Sequence, residues 1–236
     1  MKLSIIIPVY NERETIQKVV DKVKAVNIEK EILIVDDGST DGTGEILKTV
    51  ENLAFKVEGE KPKTDIKVIY HLQNRGKGAS IKTALSYVTG DIIIIQDGDL
   101  EYDPQDYSKL IAPIIRGETD VVYGSRILGK GKRSYWRYYW GGRFLSWLVN
   151  ILYGARITDE PTCYKVFRTG VLKGLELRCQ GFEFCPEVTA KLCRRGYRIK
   201  EVPISYCPRK IEEGKKIRWI DGLIAIRTLL RYRFFN

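Results

Sequence analysis

The chain of 236 residues is poor in several things that would have pointed to other functions. It holds one histidine, His71, for which a structural role is the simpler reading. Its five cysteines (Cys163, Cys179, Cys185, Cys193, Cys207) lie in the last third, are odd in number and form no CxxC pair. That pattern argues against a disulfide framework or a zinc site and for reduced cytosolic thiols. No run approaches the roughly 20 apolar residues of a membrane span, so the chain is not expected to cross a bilayer by itself. The opening MKLSIIIPVYNE is too short in apolar residues for a signal peptide and enters a strand at once. Internal repeats are lacking, and no Ser/Pro-rich linker divides the chain. The expected organisation is one large domain, 1–210, followed by a C-terminal amphipathic helix, 211–236.

What the chain has in excess is positive charge, 40 basic against 30 acidic residues, for a net +10. Such a surplus suits nucleic acid, an anionic lipid surface or a phosphorylated substrate. Nucleic acid would require a base-reading element or a stacking motif, and neither is present.

Strands and helices alternate through the first half. Leu3 to Val9, Glu31 to Val35, Ile66 to Tyr70, Ile92 to Ile95 and Asp120 to Tyr123 read as strands. Glu14 to Val26, Asp41 to Leu53, Gly78 to Val88 and Pro104 to Ile115 read as the helices between them, the last with proline in its first turn. This order predicts an α/β fold with a single mostly parallel, Rossmann-like sheet flanked by helices. Residues 55–65 are polar and lysine-rich and read as an exposed loop, as does the basic stretch 126–134. Tyr135 to Tyr153 is an aromatic-rich amphipathic helix, Gly181 to Arg195 contains another, Arg198 to Tyr206 alternates like a strand, and Ile217 to Phe235 is a basic, aromatic helix. Trp and Tyr mixed with Arg on such helices suit a membrane interface or a homodimer contact.

Asp97-Gly98-Asp99 follows the fourth strand, at the carboxyl edge where open α/β sheets bind ligands. In extended chain the two carboxylates point the same way and can share a hard cation, which suits a diphosphate. Glu101 is placed to join them. Asp36 and Asp37 end the second strand, where they can accept hydrogen bonds from a ribose or base; Ser39, Thr40 or Asp41 can cap the next helix. NRGKGAS, Asn74 to Ser80, lacks the upstream glycine of a Walker loop and has Gly78 where Ser or Thr would follow Lys77. A glycine-rich turn opening a helix still allows close approach to a nucleotide. Arg126 and Arg209 sit on loops at the same edge and can neutralise phosphates.

Taken in order, PVYNE, DDGSTDGT, NRGKGAS, QDGDLEYDP, VVYGSR, DEPTCYKVF, GFEFCPEV and VPISYCPRKIEEGKKIRWIDG resemble family 2 glycosyltransferases of GT-A fold over nearly the whole chain. They are most similar to the polyprenyl-phosphate branch, which includes dolichyl-phosphate mannose synthases and lipid-phosphate glucosyltransferases. The resemblance implies an inverting, metal-dependent transfer of a hexose, mannose favoured, from a nucleotide sugar, GDP-mannose favoured, to dolichyl or polyprenyl phosphate. It implies Mg2+ or Mn2+ at Asp97, Asp99 and Glu101, and nucleotide contacts from Pro8, Tyr10, Glu12, Asp37, Lys77, Asp97, Gly98, Asp99, Arg209 and Lys215. Catalytic roles fall to Asp97, Asp99, Arg126 and Arg209, while Arg133 and Ser134 lie in the loop that approaches the lipid phosphate. Lys215 stands where the QxxRW signature of processive synthases has Gln, which argues against a polymerase.

The implied site of action is the cytoplasmic face of a membrane, held peripherally, through a homodimer or with a separate membrane subunit. The alternative keeps the fold and changes the chemistry to a UDP-glucose or UDP-N-acetylglucosamine dependent transfer, to polyprenyl phosphate or to a hydroxyl of a glycan or glycolipid. A hydroxyl acceptor needs a base, for which Asp159, Glu160, Glu183 and Glu187 are the candidates. A non-enzymatic membrane-binding module is disfavoured by the intact Asp97/Asp99 pair.

Overall fold

The apolar runs expected to be strands buried on both faces form the centre of one sheet. The computed structural model describes residues 1–54, 64–129, 135–209, 216 and 218–235. In chain order the strands are β1 (Leu3–Val9), β2 (Lys30–Asp36), β3 (Thr64–Tyr70), β4 (Ile92–Ile95), β5 (Val121–Ser125), β6 (Lys165–Arg168) and β7 (Ile199–Pro203). The helices are α1 (Ile16–Ala25), α2 (Thr43–Ala54), α3 (Lys77–Leu85), α4 (Tyr107–Ile115), α5 (Trp136–Tyr153), α6 (Thr169–Lys173), α7 (Phe184–Arg194) and α8 (Trp219–Phe234). Among the described residues the sheet has seven strands in the order β3-β2-β1-β4-β6-β5-β7.

The strands β3, β2, β1 and β4 are parallel, as crossover helices require. Every residue of β2 and β4 is buried, whereas the edge strand β3 alternates between buried and open positions, so only its inner face reads as core. α1 closes one face by burying Ile16, Val19, Val20 and Val23 at helical spacing.

The expectation of strands alternating with helices missed β6. This strand runs antiparallel to both β4 and β5 and splits the sheet into a parallel half and a mixed half. Its first residue, Lys165, is fully buried, which a hydrophobic pattern does not anticipate. The ammonium is accommodated by the Glu160 carbonyl at 2.5 Å and the Tyr123 ring at 3.8 Å. Other differences are at boundaries. Pro104 opens a 3-10 turn, Pro104–Asp106, ahead of α4. Residues 64 and 65 belong to β3 rather than to the preceding loop, and residues 55–63 and 130–134 lie outside the described residues.

α8 joins α5 and α7 around a second, smaller core of Val149, Ile157, Ala190, Leu229 and Tyr232. The opposite faces of α5 and α8 stay open. Trp136, Trp140 and Trp147 are 70, 63 and 55 % exposed, and Phe144 and Ile151 extend the same stripe at spacings of three and four residues. On α8, Trp219, Leu223 and Phe234 are also exposed. No helix among the described residues is long and apolar enough to cross a membrane.

A polar cluster ties the amino-terminal ends of the central strands, away from the Asp97/Asp99 edge. Glu31 on β2 accepts from Ser4 Oγ and the Thr89 amide and hydroxyl, and pairs with Lys2 at 2.9 Å. Burial alone would raise its pKa, but the donors from Ser4, Thr89 and Lys2 outweigh burial and pull it down to about 2. A depressed carboxylate stabilises the fold above its unfolded pKa and loses that contribution as pH falls through the folded value. Glu31→Gln is therefore expected to lower stability at pH 7 by on the order of 3 kcal/mol. The deficit should close as pH falls from about 4.5 to about 2, read as denaturant midpoints of both proteins across that range. A deficit that stays constant over the range would show that packing, not charge, carries the effect.

Candidate active site

The carboxyl ends of β1, β2 and β4 and the start of α3 meet in a pocket that gathers most of the expected residues. Pro8, Tyr10, Glu12, Asp37, Lys77, Asp97, Gly98, Asp99, Glu101 and Arg209 all line it. Ser80, Phe182 and Lys216, which the sequence reading did not single out, line it as well. Arg126 is not among the lining residues, and Lys215, Arg133 and Ser134 lie outside the described residues.

Local hydrogen bonding explains why the loops hold their places. Asn11 follows β1 with φ 50°, a left-handed conformation that Asn tolerates better than most residues. Its amide donates to Ser39 Oγ at 2.8 Å while its side-chain carbonyl accepts from the Thr40 amide at 2.8 Å. Asp41 caps α2 by accepting from the Thr43 amide at 3.0 Å. The loops after β1 and β2 are thereby laced together.

Past the end of β4 at Ile95 the chain bends at residues 98–100, so Asp99 lies in a bend and the pair does not continue in the extended chain expected. The bend arises because Asp99 Oδ1 accepts from the Glu101 amide at 3.0 Å. Both residues still face the pocket. Buried Gln96 anchors the turn, its Oε1 accepting from Tyr107 and Tyr164 hydroxyls at 2.7 Å and its Nε2 donating to the Asp97 carbonyl at 2.9 Å.

Charge is arranged around this pair. Lys77 Nζ meets Asp97 Oδ1 at 2.5 Å. Burial would raise the Asp97 pKa, but the Lys77 ammonium more than compensates and holds it below the usual carboxylate range. Asp99 is the opposite case. Burial first, then the neighbouring charges of Asp97 and Glu101, push it up to about 7 despite Arg209 Nη2 at 3.1 Å. Arg209 Nη1 reaches both Glu12 oxygens at 3.1 and 3.2 Å, and its buried Nε has no partner among the described residues. Lys216 Nζ pairs with Glu12 at 2.8 Å and donates to the Tyr10 carbonyl.

These residues fit a divalent cation shared with a diphosphate. Among the described residues no group of three or more His, Cys, Asp or Glu side chains is disposed to hold a metal. Asp97 and Asp99 offer hard oxygen donors, and phosphate oxygens would complete the set. The crowding that drives up the Asp99 pKa is the repulsion such a cation relieves. Glu101, expected beside them, lines the same pocket, and its oxygens accept from the Tyr206 hydroxyl at 3.0 Å and the Arg209 amide at 2.9 Å, anchoring the returning C-terminal segment.

The backbone amides of the glycine-rich turn are taken up within the protein. Asp37 accepts from the Arg75 and Gly76 amides at 2.9 and 2.7 Å, and His71 Nδ1 lies 2.6 Å from it. The Gly78 and Ala79 amides donate to the Gly181 and Gln180 carbonyls at 3.2 and 2.9 Å. Gly76 has φ +93°, and a Cβ there would sit 2.4 Å from the Gln180 carbonyl oxygen, so only glycine fits this junction. Four amides of the turn and helix start thus face protein, and the Lys77 side chain is what the turn delivers to the pocket. His71, bridging Asp37 and Thr83, has the structural placement expected of it.

Arg126 is held away from the pocket by Asp159. Its Nε and Nη2 reach the two carboxylate oxygens at 2.8 and 2.7 Å and its amide adds a third bond at 2.8 Å. Its guanidinium lies 5.2 Å from the Tyr206 ring, so it supports the wall that carries Tyr206 and Glu101. The other candidate bases are also committed. Glu183 accepts from the Gln180 and Gly181 amides at 2.8 and 3.0 Å. Glu187 accepts from the Arg178 and Cys179 amides at 2.7 and 2.6 Å and pairs with Lys191. Glu160 is fully buried, its pKa driven up by burial, and its Oε2 lacks a partner.

Comparison with known proteins agrees with this geometry. The pattern of the family described as Glycosyl transferase family 2 matches residues 4–175. The chain is 30 % identical to the low-salt glycan biosynthesis hexosyltransferase Agl6 of Haloferax volcanii, over 97 % of this chain and 53 % of that protein. It is 28 % identical to the dolichol-phosphate mannosyltransferase of Pyrococcus furiosus, over 91 % and 59 % respectively. Against the UDP-N-acetylglucosamine–dolichyl-phosphate N-acetylglucosaminyltransferase of Methanococcus voltae the identity is 33 %, over 85 % and 83 %. The chain therefore spans little more than half the length of the first two relatives. Glucosyl-3-phosphoglycerate synthase of Mycobacterium tuberculosis, solved with Mn2+, UDP and phosphoglyceric acid, superposes with a TM-score of 0.71 at 19 % identity, over 100 % of this chain and 79 % of that one. At that identity the likeness speaks for the fold, which is GT-A. From Ser4 in β1 to Leu175 beyond α6 the family pattern runs through the pocket's carboxylates, and the chain belongs to the family 2 glycosyltransferases.

Proposed function

We propose that this glycosyltransferase moves a hexose, with mannose from GDP-mannose favoured, to a dolichyl or polyprenyl phosphate with inversion at the anomeric carbon. The observation that carries the reading is the confrontation of Asp97 and Asp99 with Lys77, Arg209 and Lys216 in one pocket at the carboxyl edge of the parallel strands. An anionic donor and an anionic acceptor repel each other; Lys77, Arg209 and Lys216, each paired with a pocket carboxylate, would offset that repulsion together with a bound divalent cation. Bound Mg2+ or Mn2+, held by Asp97 and Asp99, would supply Lewis-acid stabilisation of the departing nucleoside diphosphate.

A lipid phosphate is already an anion at neutral pH and attacks without a protein base. The engagement of Asp159, Glu183 and Glu187 by structural partners, and the burial of Glu160, favour that acceptor over a hydroxyl. In-line attack on an α-linked nucleotide sugar gives a β-linked lipid phosphate sugar. The exposed tryptophans of α5 and the apolar residues of α8 provide the surface by which the protein meets the bilayer from the cytoplasmic face.

The second reading, UDP-N-acetylglucosamine or UDP-glucose as donor, draws on the donor named for the Methanococcus voltae relative. Both are tested by nucleoside diphosphate release from a panel of nucleotide sugars with Mg2+ or Mn2+, with and without polyprenyl phosphate. Release from GDP-mannose that requires the lipid is the expected result. Lipid-dependent release from another donor changes the sugar alone. Donor binding without lipid-dependent release would turn attention to hydroxyl acceptors.

A further inference from the structure

A fully buried amide stands directly behind the carboxylate turn. Gln96 lies between the end of β4 at Ile95 and Asp97. Its Oε1 accepts from two hydroxyls at 2.7 Å, that of Tyr107, which opens α4, and that of Tyr164, which precedes β6. Its Nε2 donates to the Asp97 carbonyl at 2.9 Å. Gln96, Tyr107 and Tyr164 are not among the residues that line the pocket, so none of them is placed to touch a ligand there.

The surroundings decide which way this amide points. Two hydroxyl donors occupy the acceptor sites of Oε1, which leaves the amide NH2 facing Asp97. The flipped amide would set two carbonyl oxygens against each other and take from Tyr107 and Tyr164 the acceptor of their protons. Burial drives both phenol pKa values well above their ordinary value, so both tyrosines remain donors through the neutral range. Their rings lie 5.7 Å apart at 62°, and Tyr164 packs 4.7 Å from Tyr102, so aromatic contacts hold the hydroxyls in place. Lys77 meets the Asp97 side chain from the pocket side, while Gln96 meets its backbone from the core.

We infer that Gln96, oriented by Tyr107 and Tyr164, is a positioning residue that sets how Asp97 meets a divalent cation. The inference rests on the reading of Asp97 and Asp99 as the carboxylates of that cation. A ligand whose backbone is pinned arrives preorganised, and a ligand that must be ordered on binding spends affinity on its own ordering. The Asp99 end of the turn is tied separately, by the Glu101 amide at 3.0 Å, so Gln96 governs the Asp97 end.

The test separates positioning from packing. The proteins compared are wild type, Gln96→Leu, Tyr107→Phe/Tyr164→Phe, the triple variant Gln96→Leu/Tyr107→Phe/Tyr164→Phe, and Asp99→Asn. Bound Mn2+ is measured by equilibrium dialysis in GDP and separately in UDP, with protein-free controls subtracting the metal that the nucleotide holds in solution. Melting temperatures are recorded alongside. Gln96→Leu strands two buried hydroxyls and should melt lower, whereas the triple variant removes those donors together with their acceptor and should recover most of the loss. Mn2+ affinity should stay about 10- to 100-fold below wild type in both, the scale of losing an outer partner of a metal ligand. Tyr107→Phe/Tyr164→Phe keeps the amide without its orientation and should also bind Mn2+ more weakly than wild type. Affinity that returns to the wild-type value in the triple variant along with the melting temperature would overturn the inference and leave the two aspartates as the metal site. Wild type that takes up no more Mn2+ than Asp99→Asn would remove that site, and the inference with it.

Discussion

Asp99→Asn is expected to abolish transfer while leaving the fold more stable than wild type at neutral pH and above. In metal-free buffer the carboxylate is held against burial and against Asp97 and Glu101, which push its pKa up to about 7. A carboxyl group with a raised folded-state pKa contributes its full stability below the unfolded value, near 4, and loses it as pH rises through the folded value. Asparagine keeps the shape and never ionises. The two proteins should therefore melt alike near pH 4, and the variant should gain on wild type as pH rises from about 4 to about 7 and keep that gain above it. Arg209 keeps Glu12 as a partner in the variant, so its charge is not stranded. Adding Mg2+ or Mn2+ should raise the melting temperature of wild type and not of the variant, because a ligand that binds only the folded form stabilises it. Turnover should fall by about 100- to 1,000-fold, the scale of losing one preorganised electrostatic contact to the transition state. A variant with more than about a tenth of wild-type turnover would remove Asp99 from the mechanism. A variant less stable than wild type at pH 8 would show that the carboxylate's bonds to Arg209 and the Glu101 amide outweigh the crowding.

The second large effect concerns the open face of α5. Trp136→Ser, Trp140→Ser and Trp147→Ser combined should cut partition to phosphatidylcholine vesicles by about 100-fold, since each indole withdrawn from an apolar contact costs on the order of 1 kcal/mol or more. The rings are already exposed, so their loss removes little from the core around Val149 and Leu229, and melting temperature should hardly move. Donor binding should be unchanged and transfer to vesicle-embedded polyprenyl phosphate should fall. Phenylalanine at the same three positions should keep most of both. Vesicle binding unchanged in the serine variant would leave self-association as the use of the surface, which sedimentation of wild type and variant at rising concentration would then reveal.

The parallel half of the sheet was legible because β1, β2 and β4 are continuous apolar runs of strand length between turn signals. β6 was not legible, because CYKVFR places a lysine in a buried strand and only the Tyr123 ring and the Glu160 carbonyl, both distant in sequence or outside the pattern, make that tolerable. The pocket followed the same divide. Residues at the ends of β1, β2 and β4 could be placed from the strands they terminate. Lys216 and Phe182 arrive from segments whose return to the pocket is a tertiary event that no local pattern displays. Arg126 was expected among the phosphates on its position after β5, and Asp159 was one candidate base for a hydroxyl acceptor; that the two pair with each other was not visible in either motif. Two residues 33 apart can satisfy one another in ways that no motif displays.

The antiparallel entry of β6 between β4 and β5 marks a seam in the sheet. Everything from β1 to the Asp97/Asp99 turn comes from the first hundred residues, while the Trp-bearing helix α5 comes from later chain. Recombination at Leu100 would then exchange what the enzyme touches beyond the donor and leave nucleotide recognition almost whole. Among the described residues, Glu101, Phe182, Arg209 and Lys216 line the pocket from beyond that point, and Arg209 and Lys216 cross back to Glu12, so an incoming second half would have to supply them.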